Sequence, residues 1–179
     1  MKSAFAQVLA AFPTPDRPTR TGTPQQWETV EKLLGTALPD DYKAFISNYG
    51  YCGLGGELVI DSPFTKAADI DPSVSDGFIS SMGQVFTDTL DKLRQLDSGF
   101  NHALYPEPAG LLYFGTDAFG RGYYWKTRQD VPPNDWTIGY RDDGTDWWEF
   151  DGTISELILA IISDHPPEEL ADTLPPGPP

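Results

Sequence analysis

Residues 110–127 read Gly-Leu-Leu-Tyr-Phe-Gly-Thr-Asp-Ala-Phe-Gly-Arg-Gly-Tyr-Tyr-Trp-Lys-Thr. The stretch contains two short aromatic runs, each bounded by turn-forming residues, and this pattern is typical of paired β-strands. The segment Asp-Ala-Phe-Gly at 117–120 lies between the runs and predicts the turn of a hairpin. We therefore expect an antiparallel strand pair at the centre of the fold.

Further strands are predicted on both sides of this hairpin. Residues 57–60 follow a glycine-rich segment, 52–56, which we expect to form a turn. Residues 136–140 and 146–150 are short and aromatic, and Asp-Asp-Gly-Thr at 142–145 predicts the turn between them. Together these segments predict a mainly antiparallel mixed sheet of about 4–6 strands.

Segments with helical periodicity lie before, between and after the predicted strands. The segments with apolar residues at helical spacing are 3–12, 23–35, 39–50, 84–96 and 153–163. Thr23 with Gln26 and Thr153 with Glu156 match the capping-box pattern that begins a helix. In the first segment a helix is favoured over a signal peptide, because Gln7 interrupts the apolar run.

This order of elements predicts the α+β class, with N-terminal helices, a middle helix and a closing C-terminal helix. We expect residues 1–170 to form a single domain. Residues 171–179 contain four prolines and predict a proline-rich tail.

The chain has 179 residues and a formal net charge of −15. Residues 129–179 carry twelve acidic residues and a single basic residue, Arg141. A surplus this negative repels phosphate backbones, so no nucleic-acid partner is expected. Two interpretations of the acidic last third stay open: a solvated face, or a surface that attracts a basic protein partner.

The sequence favours a cytoplasmic protein. No stretch approaches the roughly 18 apolar residues of a membrane span, so no membrane association is expected. Cys52 is the only cysteine, which excludes an intramolecular disulfide.

Residues able to carry chemistry are few. The histidines are His102 and His165, and neither falls in a metal-ligand motif with Cys52. The glycine-rich segment 53–56 lacks the Lys-Ser/Thr of a phosphate loop, and 142–146 does not match a calcium loop. We expect no catalytic residue, metal or cofactor, and keep a hydrolase with acidic pairs or Cys52 as a minor alternative.

Adjacent aromatic residues pose a question about the two faces of the sheet. Neighbours in a strand point to opposite faces, so Tyr124 and Trp125 cannot share one core, and neither can Trp147 and Trp148. Either helices cover both faces, or one face exposes an aromatic and acidic patch suited to binding a protein.

The sequence resembles the SUKH superfamily, which includes bacterial toxin-immunity proteins and fungal cell-wall-assembly regulators of the Smi/Knr type. The resemblance begins at residues 27–50, with the motif Leu-Pro-x-Asp-Tyr-Lys at 38–43. The hairpin at 110–125 and the run Asp-Trp-Trp-Glu-Phe at 146–150 are similar to later parts of that family. The match spans about residues 25–163.

The resemblance implies a non-enzymatic immunity protein that neutralises a cognate toxin by direct binding. We expect the protein to be a monomer or weak dimer. Many such toxins are nucleases with basic clefts, which an acidic and aromatic surface would fit. The expected partner-binding residues are Asp117, Tyr124, Asp142, Asp143, Asp146, Trp147 and Glu149. The alternative is a regulatory or scaffold module with a partner other than a toxin.

Overall fold

The computed structural model describes residues 3–55, 57–64, 88, 90–92, 94–95, 100, 102–141, 147–163 and 166–170. Its centre is a six-stranded antiparallel sheet in which the spatial order of the strands follows the chain. The strands are β1 (Cys52–Leu54), β2 (Leu58–Ile60), β3 (Leu111–Asp117), β4 (Gly122–Lys126), β5 (Thr137–Arg141) and β6 (Trp147–Phe150). The sheet is therefore a meander, and the predicted β3–β4 hairpin lies at its centre.

The described helices are α1 (Ala4–Ala11), α2 (Pro24–Leu34), α3 (Asp40–Tyr49) and α4 (Ile154–Ile161). Both predicted capping boxes form: the backbone N–H of Thr23 donates to Oε1 of Gln26 at 2.6 Å, and that of Thr153 to Oε2 of Glu156 at 2.8 Å. Gly35 ends α2 with a φ of 72°, a left-handed conformation that favours glycine. Within the predicted middle helix, residues 88, 90–92, 94 and 95 are helical.

The first face of the sheet packs against the helices and forms the main core. Phe114, Tyr123, Trp125 and Ile138 contribute from the strands, all almost fully buried. From the helices the core receives Val8, Trp27, Tyr42, Phe45, Ile46, Ile154, Leu157 and Ile158. Burial of this many large apolar side chains is the main force that holds helices and sheet together.

Asp41 joins α3 to the start of α4. Its Oδ2 accepts from the backbone N–H of Ser155 at 2.9 Å, and its Oδ1 accepts from the Ser155 hydroxyl at 2.7 Å. The carboxylate thus satisfies a donor in the first turn of α4, where no intrahelical acceptor exists.

The second face of the sheet is covered by a smaller cluster. Tyr113 and Tyr124 of the central hairpin pack there against Leu90, Phe100 and Leu104 from the segment between β2 and β3. The two tyrosine rings meet edge to face, with their centroids 5.8 Å apart. At β3 and β4, the helices therefore cover the first face of the sheet, and the segment between β2 and β3 covers the second.

This arrangement confirms the α+β class and answers the question posed by the aromatic pairs. Tyr124 and Trp125 are both buried, on opposite faces. One prediction was wrong: Cys52–Leu54, expected as part of a turn, is an edge strand whose Cys52 is opposite Ile60. Three residues are too few for the alternation of a strand to appear in the sequence.

The described helices are all too short or too polar to span a bilayer. The predicted tail, 171–179, lies outside the described residues.

Candidate partner-binding surface

β6, one of the two edge strands of the sheet, carries accessible aromatic and acidic side chains. Trp147, Trp148 and Glu149 form what we call the β6 surface. β6 pairs with β5 along one edge, with Tyr140 opposite Trp148 and Gly139 opposite Glu149. In the described part of the chain no strand pairs with its other edge.

Trp147 lies on the second face and is half-buried. Its indole covers Gly139, where a Cβ atom would collide with the ring, so glycine is required for this packing. The ring centroid lies 5.8 Å from that of Tyr124 and 4.5 Å from that of His102. Among the described residues no acceptor meets its buried indole N–H.

Trp148 points to the opposite face and is 38% exposed. Because the two tryptophans lie on different faces, a partner can contact both only by approaching along the open edge of β6. Exposed tryptophan at an edge is the kind of side chain that contributes most to protein–protein binding.

Glu149 supplies a negative charge on the second face. Its carboxylate lies 2.5 Å from Nζ of Lys126, and its side chain remains 48% exposed. His102 lies beside this ion pair. Burial lowers the pKa of His102, the positive charge of Lys126 lowers it further, and the negative charge of Glu149 raises it. His102 is therefore neutral at physiological pH and packs on Trp147 as an uncharged ring.

Asp117 is not part of an exposed acidic surface, contrary to the expectation. Its side chain is fully buried at the end of β3, where Oδ2 accepts from Nε of Arg121 at 2.6 Å and from the hydroxyl of Tyr123 at 3.0 Å. Oδ1 accepts from the backbone N–H groups of Phe119 and Arg121, each at 3.0 Å. The carboxylate fixes the hairpin turn, and that internal role removes it from solvent.

Tyr124 is also excluded as an exposed anchor, because only 3% of it is accessible. Burial raises the pKa of its hydroxyl, consistent with a neutral ring inside the second-face cluster. It supports Trp147 from beneath.

Asp142, Asp143 and Asp146 lie outside the described residues. The residues that flank this segment, Arg141 and Trp147, are opposite each other in the last registered pair of β5 and β6.

The sequence analysis missed Phe119, which is 48% exposed at the β3–β4 turn. The guanidinium carbon of Arg121 lies 5.0 Å from its ring centroid, a cation–π contact. In an antiparallel meander β3–β4 and β5–β6 are joined at the same end of the sheet, so Phe119 lies at the end where β5 connects to β6. A large apolar residue between turn residues was the signal that could have found it.

Cys52 and His102 are not brought together. Cys52 packs against the main core on the first face, whereas His102 contacts Trp147 on the second. Burial raises the pKa of the Cys52 thiol to about 11. The thiol is therefore protonated near neutral pH, opposite to what a cysteine nucleophile needs.

Comparison with known proteins identifies one family. The family described as SMI1-KNR4 cell-wall (SUKH_6) matches residues 24–152, which is most of the chain and includes every described strand. No curated protein and no solved structure shows significant similarity to the chain.

Proposed function

Because the chain belongs to the SUKH superfamily, we propose that it is a non-enzymatic immunity protein that neutralises a cognate toxin by binding it. The partner presents a basic surface, and the contact runs along the open edge of β6. The family match is the observation that carries this proposal. The acidic last third of the chain and the position of the β6 surface support the site.

The residues of the proposed contact surface differ from those that the sequence predicts. It keeps Trp147 and Glu149, adds Trp148, and keeps the aspartates of the β5–β6 connection, Asp142, Asp143 and Asp146. Asp117 and Tyr124 are left out of it, because both side chains are buried. Acidic groups around aromatic anchors speed association with a basic partner, while the anchors provide most of the binding energy.

The state of Cys52 supports a function without cysteine catalysis. Its thiol is held protonated by burial, and it lies on the opposite face of the sheet from His102. We further propose that the protein is cytoplasmic and acts as a monomer or weak dimer.

The experiment that tests this function uses the product of the adjacent open reading frame. We expect that product to be toxic when expressed alone, and co-expression of this protein to restore growth and yield a co-purifying complex. The double variant Trp148→Ala/Glu149→Gln should weaken protection, whereas Glu28→Gln, an exposed carboxylate on α2, should not. A harmless neighbour that does not bind would contradict the immunity function.

A regulatory or scaffold module is the second candidate, and the family description, which refers to the cell wall, favours it. The same β6 edge would then bind a partner other than a toxin. Recovery of a non-toxic protein by the wild type, lost in Trp148→Ala/Glu149→Gln, would support this candidate over immunity.

A further inference from the structure

The two edge strands of the sheet differ in what they offer to another chain. β1 has three residues, one of which is Gly53. β6 has four, and they include two tryptophans and a glutamate. A strand paired on one side only directs alternate backbone N–H and C=O groups outward on its other side. We propose that β6 binds a β-strand of the protein partner, which extends the sheet through main-chain hydrogen bonds.

The side chains of β6 match the period of a strand. Trp147 contacts Tyr124 on the second face, Glu149 shares that face, and Trp148 lies on the first. An added strand lies about 4.8 Å from its neighbour, and its side chains also alternate between the two faces. Successive residues of such a strand therefore contact the two tryptophans in turn, which suits this edge better than a contact on one face alone.

β6 has few of the features that keep an edge strand from pairing. Natural sheet edges are commonly blocked by proline, by lysine or by a β-bulge. Residues 147–150 contain neither proline nor lysine. Their register with β5 continues through four pairs without a shift. The ladder is therefore regular up to its outer side, and another strand can continue it.

The charge along this edge favours a basic strand. Oε1 of Glu149 accepts from Nζ of Lys126, whereas Oε2 has no hydrogen-bond partner among the described residues. The Glu149 side chain is 48% exposed, so Oε2 can accept from a second cation. Exposed Asp151 follows the strand, and Asp146 precedes it in the sequence. A lysine or arginine on the second-face side of the added strand would be attracted, and an acidic residue there would be repelled.

On the first face the added strand meets Trp148. This residue is 38% exposed, whereas Tyr140, opposite it on β5, is 2% exposed. Tyr140 has a strand on each side, and in the described part of the chain Trp148 has one on a single side. An apolar side chain opposite Trp148 would cover it. The expected segment therefore alternates basic and apolar residues.

A second copy of this chain fits the same edge less well. Each copy carries a formal net charge of −15, so pairing two β6 strands brings like charges together. Acidic residues at an edge discourage self-pairing and at the same time favour a basic strand. That the strand comes from a toxin rests on the proposed function, whereas its alternation of basic and apolar residues rests on β6.

The test uses a capped heptapeptide of alternating valine and lysine, with no partner protein present. At saturation, on the order of 1 mM, we expect it to slow hydrogen exchange of the β6 amides directed away from β5 by about tenfold. ¹H–¹⁵N NMR spectra measure this exchange residue by residue. Two matched peptides are the controls: one has glutamate in place of lysine, and the other is N-methylated at its central residues, which keeps the side chains but removes main-chain donors. Neither should protect β6.

Two variants test the side chains of the edge. Trp148→Ala should weaken binding of the lysine peptide roughly threefold to tenfold, and Glu149→Gln roughly twofold to fivefold. The matched controls are Leu33→Ala and Glu28→Gln, both exposed on α2, and they should leave binding unchanged. If Trp148→Ala and Glu149→Gln bind the peptide like the wild type, β6 does not select the strand and the proposal fails.

Absence of β6 protection by the lysine peptide would overturn the proposal, as would equal protection by either control peptide. Outward amides of β6 that are already protected in the free protein would also overturn it. Protection lost on dilution would then identify a second copy as the occupant, and protection independent of concentration another segment of this chain. A failed peptide test leaves the immunity function standing, and a harmless neighbouring gene product leaves the peptide result standing.

Discussion

The two faces of the sheet use the same kinds of residue for different purposes. On the first face Trp125 lies under helices and is 2% exposed. On the second face Trp147 lies near the edge, half-buried beside His102 and the Lys126–Glu149 pair. Both residues sit in short aromatic strands of similar composition. The cover that the rest of the chain provides, rather than the strand itself, decides whether an aromatic residue stabilises the core or remains available to a partner.

Removal of Trp125 is expected to have the largest effect on stability. Trp125→Ala should lower the free energy of unfolding by about 3–5 kcal/mol, because a large cavity would remain between sheet and helices. Trp147→Ala should cost about 1–2 kcal/mol, since less apolar area is lost. Urea unfolding followed by circular dichroism measures both. Equal losses would contradict the difference between the faces.

Asp117→Asn should have the next largest effect, on the order of 3 kcal/mol, because it leaves the Arg121 guanidinium buried without its counter-charge. The control is Asp130→Asn, whose exposed pair with Arg128 should contribute little. The same unfolding experiment applies. If both variants lose the same free energy of unfolding, the buried ion pair does not stabilise the hairpin turn.

Trp148→Ala should barely change stability but weaken the complex with the partner at least about tenfold. Leu33→Ala removes a residue that is 49% exposed on α2 and should leave binding unchanged. Isothermal titration calorimetry with the purified partner measures both. A similar loss in the two variants would place the interface elsewhere.

The smallest effect concerns His102. Burial lowers its pKa in the folded protein, so the unfolded chain takes up the proton first as pH falls. Stability should therefore decline as pH drops below about 6.5, the ordinary pKa of histidine. His102→Gln should reduce the decline in melting temperature between about pH 7.5 and about pH 5.5. If the decline in melting temperature is unchanged in the variant, other titrating groups cause it.

The sequence was sufficient for much of the fold because local signals agreed. Thr23 with Gln26 and Thr153 with Glu156 mark helix starts, and the aromatic runs around 117–120 mark the central hairpin. Each of these signals lies within a few residues, so no knowledge of distant contacts was needed.

The candidate surface was less predictable, because exposure depends on distant parts of the chain. Tyr124 is covered by residues such as Leu90 and Phe100, which no local pattern connects to it. Asp117 looked like an exposed turn residue, although Arg121 folds back to bury it. Three separate parts of the chain border a cavity beside Asp40, and no spacing in the sequence predicts that they lie together.

The central claim is that an acidic surface beside β6 guides a basic toxin to this protein. Stopped-flow association with the partner, between about 50 and about 300 mM NaCl, tests it most directly. Asp142→Asn/Asp143→Asn/Asp146→Asn should associate about tenfold more slowly at low salt and show a weaker salt dependence than the wild type. The control triple Asp16→Asn/Glu28→Gln/Glu57→Gln, outside the acidic last third, should behave like the wild type. Identical rates and salt dependence in the wild type and the first triple would contradict the claim.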